Sequence, residues 1–457
     1  MKKFLIIINI IIFSSITFAG TGPNFDDFFT TKTMRVDFYQ TGTKTQTIIS
    51  LDEIIEEPIW AGSLTNLIDT LNLGHHIVKI FDEKSGQLIY SRGFCSIFGE
   101  WQTTDEAAKE IFRTFSASVL IPFPKNPIKL TLSSRNRQNV FIEEFSTVID
   151  PNSRFVNRDK PKGKYRAKAL IKNGSPNRKV DILVLPEGYT KRELKKFRKD
   201  MKHFMDVFFS NTPFKENKDK FNVWYLEIPS EESGIDDPRK GKFVKSAFSL
   251  SFNTLDIDRY VQGPDNKTMR DIAANAPYDQ IYFIFNSSKY GGGGIFNLCS
   301  CCYSHDDEKE QSWWPNYVFV HEFGHAFAGL ADEYYSSAVA YNEFYPPGVE
   351  PWEPNITALL DPENLKWKKL VEPDIPIPTP WNKEKYDKIP RSQSKDKEAL
   401  LHKQEYWGKV GAFKGAGYAS EGLYRPYLDC RMFSKSLTGF CPVCSDAIVK
   451  MIRFYSE

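Results

Sequence analysis

His321-Glu322-Phe323-Gly324-His325-Ala326-Phe327-Ala328-Gly329-Leu330-Ala331-Asp332-Glu333-Tyr334 is the stretch from which the rest of this chain is read. Two histidines four apart on a helix share one face, about one turn from each other. Their imidazole nitrogens can converge on one metal ion. Glu322 follows the first histidine, rotated roughly 100° from it. A carboxylate there reaches a metal-bound water without binding the metal. The pattern therefore implies a zinc site with its general base built in.

A catalytic zinc uses three protein ligands and keeps one position open. Asp332, seven residues beyond His325, is the expected third ligand. In an unbroken helix it would share the histidine face but stand about 10 Å further along the axis. The chain must leave the helix and fold back. Gly329 stands where a left-handed residue can end the helix. Glu333 fits a supporting or solvated position better than a ligand position. The competing reading is a helix with two half-buried histidines and an Asp-Glu at its end. With only seven histidines in 457 residues, chance placement of this pattern is the weaker account.

A chain of this length exceeds one ordinary core, so two domains are expected. The composition is globular, 41% hydrophobic and 26% charged. Sixty Lys+Arg against 58 Asp+Glu leave a net charge of +2, which gives no basis for a nucleic-acid partner. Residues 1–19 read as a cleaved export signal: Lys2-Lys3, an apolar run from Phe4 to Phe13 broken only by Asn9, then Thr17-Phe18-Ala19. The run is short for a membrane anchor, and no later segment approaches a membrane span. An exported product is expected, periplasmic, cell-surface or secreted, without a span once the signal is removed. Export permits disulfides among the seven cysteines, Cys95, Cys299, Cys301, Cys302, Cys430, Cys441 and Cys444. Cys441-Pro-Val-Cys444 has no matching CxxC, so a disulfide role is expected ahead of a second metal or a redox pair.

Residues 24–157 carry the period of strands, with Met34, Val36 and Phe38 alternating with polar neighbours. Ile77-Val78-Lys79-Ile80-Phe81 and Gln87-Leu88-Ile89-Tyr90 flank a turn sequence and read as a hairpin. Further strands are expected near 116–123, 128–132 and 140–145, and one short helix across 104–112. A β-sandwich follows from this pattern. His75-His76 reads as a strand-end pair rather than a ligand pair. Residues 158–177 are basic and turn-rich and read as a linker. The remaining 178–457 open as α/β: a buried strand at Asp181–Leu185, a capping box at Thr190-Lys-Arg-Glu193, and a helix carrying Leu194, Phe197, Met201, Phe204, Met205 and Phe208. Ile281-Tyr-Phe-Ile-Phe285 is a second central strand. Gly291-Gly-Gly-Gly294 lacks the lysine of a phosphate cradle. Gly293 and Gly294 fit either a sheet-edge strand that pairs with an extended substrate, or a mobile surface loop. The metal helix is expected to begin at Pro315. Residues 336–400 read as a long irregular insertion, and a helix from Pro442 closes the chain.

His321-Glu-Phe-Gly-His325 with Gly329 and Asp332-Glu-Tyr334, joined by Leu423-Tyr-Arg-Pro426, Cys430-Arg-Met432 and Phe440-Cys-Pro-Val-Cys444, resembles the bacterial IgA-peptidase-type zinc metallopeptidases, which are metzincin-like. The likeness covers roughly 178–456, and the first half is similar to the β-rich domain that often precedes such peptidases. The resemblance implies an α+β chain: an N-terminal β-sandwich, then a zincin-like α/β peptidase domain. It implies one catalytic Zn2+ held by His321, His325 and Asp332, Glu322 as acid/base, and Met432 in a methionine turn beneath the metal. By sequence alone Met432 is an ordinary core methionine. In typical metzincins the glycine and third ligand fall three and six residues after the second histidine. Ala328 and Ala331 occupy those places here, so glycine and carboxylate are each shifted by one.

The expected activity is peptide-bond hydrolysis on a protein or peptide substrate. Zinc acidifies a water and Glu322 moves its proton to the leaving amine. Tyr424, shortly before Met432, is a candidate oxyanion donor, with Tyr334 and Tyr335 as rivals. No Gly-x-Ser-x-Gly elbow supports a serine nucleophile. The alternative is a catalytically silent peptidase fold that binds a glycan or protein. A third reading is a zinc hydrolase acting on another bond.

Overall fold

The computed structural model describes residues 22–160, 165–263, 265–304, 313–336, 344–436 and 438–457. The expected export signal, and Pro161 and Gly163 of the expected linker, lie outside the described residues. The first half is β-rich. Its strands are β1 (Phe29–Gly42), β2 (Thr47–Glu57), β3 (His76–Asp82), β4 (Leu88–Phe94), β5 (Arg113–Pro124), β6 (Ile128–Arg135), β7 (Phe141–Ile149) and β8 (Val156–Asn157). They form two four-stranded sheets, ordered β5-β1-β2-β8 and β4-β3-β6-β7. Alternate residues of both sheets point into one core: Met34, Val36 and Phe38 from β1 meet Val78 and Ile80 from β3 and Leu130 and Leu132 from β6. Each such side chain contributes about 1.5–3 kcal/mol by leaving water. The expected hairpin is β3–β4, closed by Gly86 at φ 70°. The helix expected at 104–112 is absent; only a 3-10 turn, Ala107–Lys109, forms there, and the local helix lies earlier at Ile97–Trp101. Ser96 caps that helix by accepting from Gly99 N.

The second half is mixed α/β. Its main sheet holds β9 (Lys168–Ile171), β10 (Val180–Glu187), β11 (Phe221–Tyr225), β12 (Gln280–Phe285), β13 (Gly292–Ile295) and β14 (Cys299–Tyr303), in the order β13-β14-β12-β10-β11-β9. The four central strands run parallel, and both edges, β13 and β9, are antiparallel. β10 and β12 are buried along their whole length, as strands covered on both faces are. β9 falls inside the stretch expected as a linker. Its pairing with β11 is a contact across distant sequence that local composition does not encode. A two-stranded sheet, β15 (Phe413–Ala416) and β16 (Ala419–Arg425), lies near the C-terminus.

The principal helices are α1 (Leu194–Phe208), α2 (Asn266–Ala273), α3 (Trp313–Ala328) and α4 (Pro442–Ser456). Glu193 accepts from the backbone N–H of Thr190 at 2.9 Å, the reverse half of the expected capping box. α3 starts two residues before Pro315 and is buried on nearly every side, as a core helix must be when it is apolar all round. Phe319 stacks on Phe204 of α1 at 4.9 Å and on Tyr282 of β12 at 4.0 Å. Residues 344–400 are largely irregular, with short helices Lys383–Lys388 and Ser394–His402.

The two halves are tied together beside α3. Cys95 N donates to Phe296 O at 3.0 Å, and Asn297 Nδ2 donates to Gly93 O at 3.1 Å. Arg35 of β1 reaches Asp271 of α2 at 2.6 Å. Among the described residues no helix is long and apolar enough to cross a membrane.

Candidate metal centre

α3 carries His321 and His325 on one face, and Gly329 ends it at φ 62°. The Gly329 N–H closes back onto His325 O at 3.1 Å, the bond of a left-handed helix cap. The next five residues are pinned one by one. Leu330 O accepts from His325 Nδ1 at 2.6 Å. Asn355 donates to Ala331 O at 2.9 Å and accepts from Ala331 N at 2.7 Å. Gly417 N donates to Asp332 O at 3.0 Å, Glu333 N to Met432 O at 2.8 Å, and Tyr418 N to Tyr334 O at 2.9 Å.

The result is a convergence of three donor atoms. His321 Nε2 and His325 Nε2 lie 3.1 Å apart. Asp332 Oδ1 stands 3.2 Å from the first and 3.3 Å from the second. Ligands bound at about 2.0–2.1 Å in a tetrahedron stand roughly 3.3 Å from one another. Asp332 Oδ1 is buried and has no hydrogen-bond partner. The other oxygen, Oδ2, accepts from the Tyr418 hydroxyl at 2.6 Å. A carbonyl only accepts, so the Nδ1 atoms carry the protons: His321 donates to Arg431 O at 3.1 Å, and His325 to Leu330 O. Both Nε2 atoms are thereby turned toward Asp332 Oδ1. Two imidazoles, one carboxylate oxygen without another partner, and outward-facing Nδ1–H groups fit a divalent zinc.

The electrostatics follow from the crowding. Burial lowers the proton affinity of His325, but Asp332 more than offsets this and holds it at about 9. Asp332 is itself held well below the carboxylate range, its burial outweighed by His325 and His321. Glu322 is half-buried, and burial raises its carboxyl against the pull of the two histidines. Met432 is fully buried under α3. A Cβ built on Gly324 would lie 3.4 Å from its Sδ, so the helix rests on it between the two histidines.

A cleft of about 680 Å³ opens over these residues. Its walls come from both halves, with Ser134, Arg135 and Glu144 facing Tyr290, Tyr334 and Tyr418. Gly293 and Gly294 line it as part of β13, the sheet edge beside α3. A Cβ on Gly294 would stand 2.2 Å from Glu322 O, so only glycine allows strand and helix this close. Gly292 exchanges backbone bonds with Arg259 and Val261 on its outer side. By strand alternation Gly294 presents its N–H and C=O to that same side.

A scan of family models matches residues 169–452 to IgA Peptidase M64 and residues 24–146 to Peptidase M64 N-terminus. The chain belongs to the M64 IgA peptidase family. A search of curated proteins returned no match. The M64 match begins at β9 and runs almost to the end of α4, so it takes in His321, Glu322, His325, Asp332 and Met432. The family is one of metallopeptidases, in keeping with a donor set that suits a metal.

Not every sequence expectation falls in this M64 cleft. Tyr424 lies in β16, its backbone paired with Thr357, and is not among the lining residues. Tyr335 donates to Asp387 at 2.7 Å, also outside the lining. Tyr334 lines the cleft beside Asp332 and Arg259. Nothing in the sequence marks Tyr418 or Asn355 as partners of the 331–332 loop. Asn355-Ile356-Thr357 reads as a glycosylation pattern, yet Asn355 is 0% exposed and bonded on both amide atoms. The expected disulfides are also absent: none of the seven cysteines is bonded to another.

Proposed function

We propose that this M64 family member is an exported zinc endopeptidase, with His321, His325 and Asp332 as metal ligands and Glu322 as acid/base. The observation that carries this reading is the buried Asp332 Oδ1 set 3.2 and 3.3 Å from two imidazole nitrogens whose far sides are already bonded. When bound there, zinc supplies Lewis-acid polarisation of the scissile carbonyl and acidifies a water. Glu322 takes the proton of the attacking water on its carboxylate and passes it to the leaving amine nitrogen. Burial raises its proton affinity, which suits a group that must both accept and return a proton. Tyr334, beside the ligand set, is the better-placed oxyanion donor than Tyr424. Gly294 offers one N–H and one C=O to an extended backbone, favouring a peptide over other ester or amide substrates. Met432 serves as the floor of the centre. The two-sheet N-terminal half is read as a β-sandwich that walls the cleft, and the second half as a zincin-type domain. Residues 1–19 direct export to the periplasm, cell surface or medium.

Cleavage of a mixed peptide library, mapped by mass spectrometry, tests this. Wild-type protein should cut, lose activity to a chelator and regain it with zinc. Glu322→Gln should keep its metal and lose about 10²–10⁴-fold in kcat. Metal-loaded wild-type protein that binds peptides without cutting any would establish the silent binding module instead.

A further inference from the structure

Glu333, Cys430, Cys441 and Cys444 meet at a second point, with one ligand atom from each within 4.8 Å of all the others. They are drawn from three separate segments: the loop that follows Asp332, the turn that carries Met432, and the start of α4. All four are buried, none more than 2% exposed. Cys430 Sγ stands 3.7 Å from Cys444 Sγ, and Cys444 Sγ 3.1 Å from Glu333 Oε1. These are not bonded sulfurs, since a disulfide needs about 2.05 Å. They match a metal cage better. Thiolates at about 2.3 Å from a tetrahedral zinc stand roughly 3.7–3.8 Å apart.

Two further features point the same way. Glu333 Oε2 is wholly buried with no hydrogen-bond partner. Both near-side sulfurs accept backbone amides: Cys441 N donates to Cys430 Sγ at 3.3 Å, and Cys444 N to Cys441 Sγ at 3.4 Å. Amide donors and the first turn of a helix stabilise sulfur as thiolate. The spacing Cys441-Pro-Val-Cys444 is that of a zinc-binding turn.

We propose that Glu333, Cys430, Cys441 and Cys444 form a second, structural zinc site, closed by four protein ligands and separate from the histidine centre. The soft sulfur set selects zinc over magnesium or calcium. With no open position the ion does no chemistry; it fastens three segments. Glu333 follows Asp332 directly and bonds Met432 O, while Cys430 precedes Arg431, whose carbonyl holds His321. The second ion thus fixes both loops that frame the histidine centre.

Zinc content and zinc X-ray absorption of the full-length protein decide the matter. The histidine centre contains no sulfur, so any zinc–sulfur shell reports this cluster alone. Two zinc ions per chain are expected, with sulfur neighbours at about 2.3 Å. His325→Ala should remove one ion and leave a sulfur-dominated spectrum. Cys444→Ser should remove the other together with the sulfur shell; if it does not fold, the native spectrum still answers. A single zinc with sulfur neighbours sustains this site and removes the other. One zinc with only nitrogen and oxygen neighbours overturns the inference. So does a Cys430–Cys444 disulfide mapped in protein purified without reductant.

Discussion

Tyr418 shows how a single hydroxyl orders the centre. Its bond to Asp332 Oδ2 leaves only Oδ1 to face the imidazoles. Removing such an orienting partner typically lowers metal affinity 10–100-fold. Tyr418→Phe should show that loss in a chelator competition while its folding stays intact. The proton balance of the metal-free site gives a second residue-scale outcome. His325 is held at about 9 against an ordinary 6.5. Its folded value is raised, so its stabilising contribution is complete below pH 6.5 and is lost as pH rises through 9. Up to about 3 kcal/mol is at stake. Urea unfolding of chelator-treated protein should show stability falling over that window, and Asp332→Asn should flatten the fall. Under the proposed function a bound metal would take the place of that proton, so metal-loaded protein should show no such fall.

At the scale of elements, the pairing of β13 with α3 sets the working geometry. The Gly294 Cβ position lies 2.2 Å from Glu322 O, a backbone atom that cannot swing aside. Gly294→Ala should therefore push the strand off the helix, at about 1–3 kcal/mol of stability. Its kcat/KM should fall further than that loss of folded protein explains, as measured by thermal unfolding beside peptide cleavage. A glycine run alone left the strand and the loop readings equally open. The antiparallel register with Cys299–Tyr303 resolved them. The helix expected at 104–112 fails for the same kind of cause. Its large apolar side chains stay in water, Ile111 43% and Phe112 54% exposed, so no buried stripe was available to pay for a full helix.

At the scale of the molecule, the two halves share the cleft and a buried ionic joint. Arg35 is 1% exposed and pairs with Glu57 at 3.0 Å and with Asp271 across the joint at 2.6 Å. Burial opposes its charge, but Glu57 and Asp37 more than offset this. Arg35→Ala strands those carboxylates and should cost about 3–5 kcal/mol in urea unfolding. The cleft should lose order with it, since His75 and Arg135 belong to the half that Arg35 anchors.

The motif at 321–334, the glycine cap and the strand alternation of the first half were decided by the sequence itself. Local rules govern them: the pitch of a helix, the sign of φ, the two faces of a strand. The tyrosine that orients Asp332, the buried asparagine that holds Ala331, the strand hidden in the linker and the meeting of Glu333 with three cysteines were decided only by the tertiary structure. Each joins residues far apart along the chain, and spacing carries no information about such contacts until the packing of the core has closed the distance.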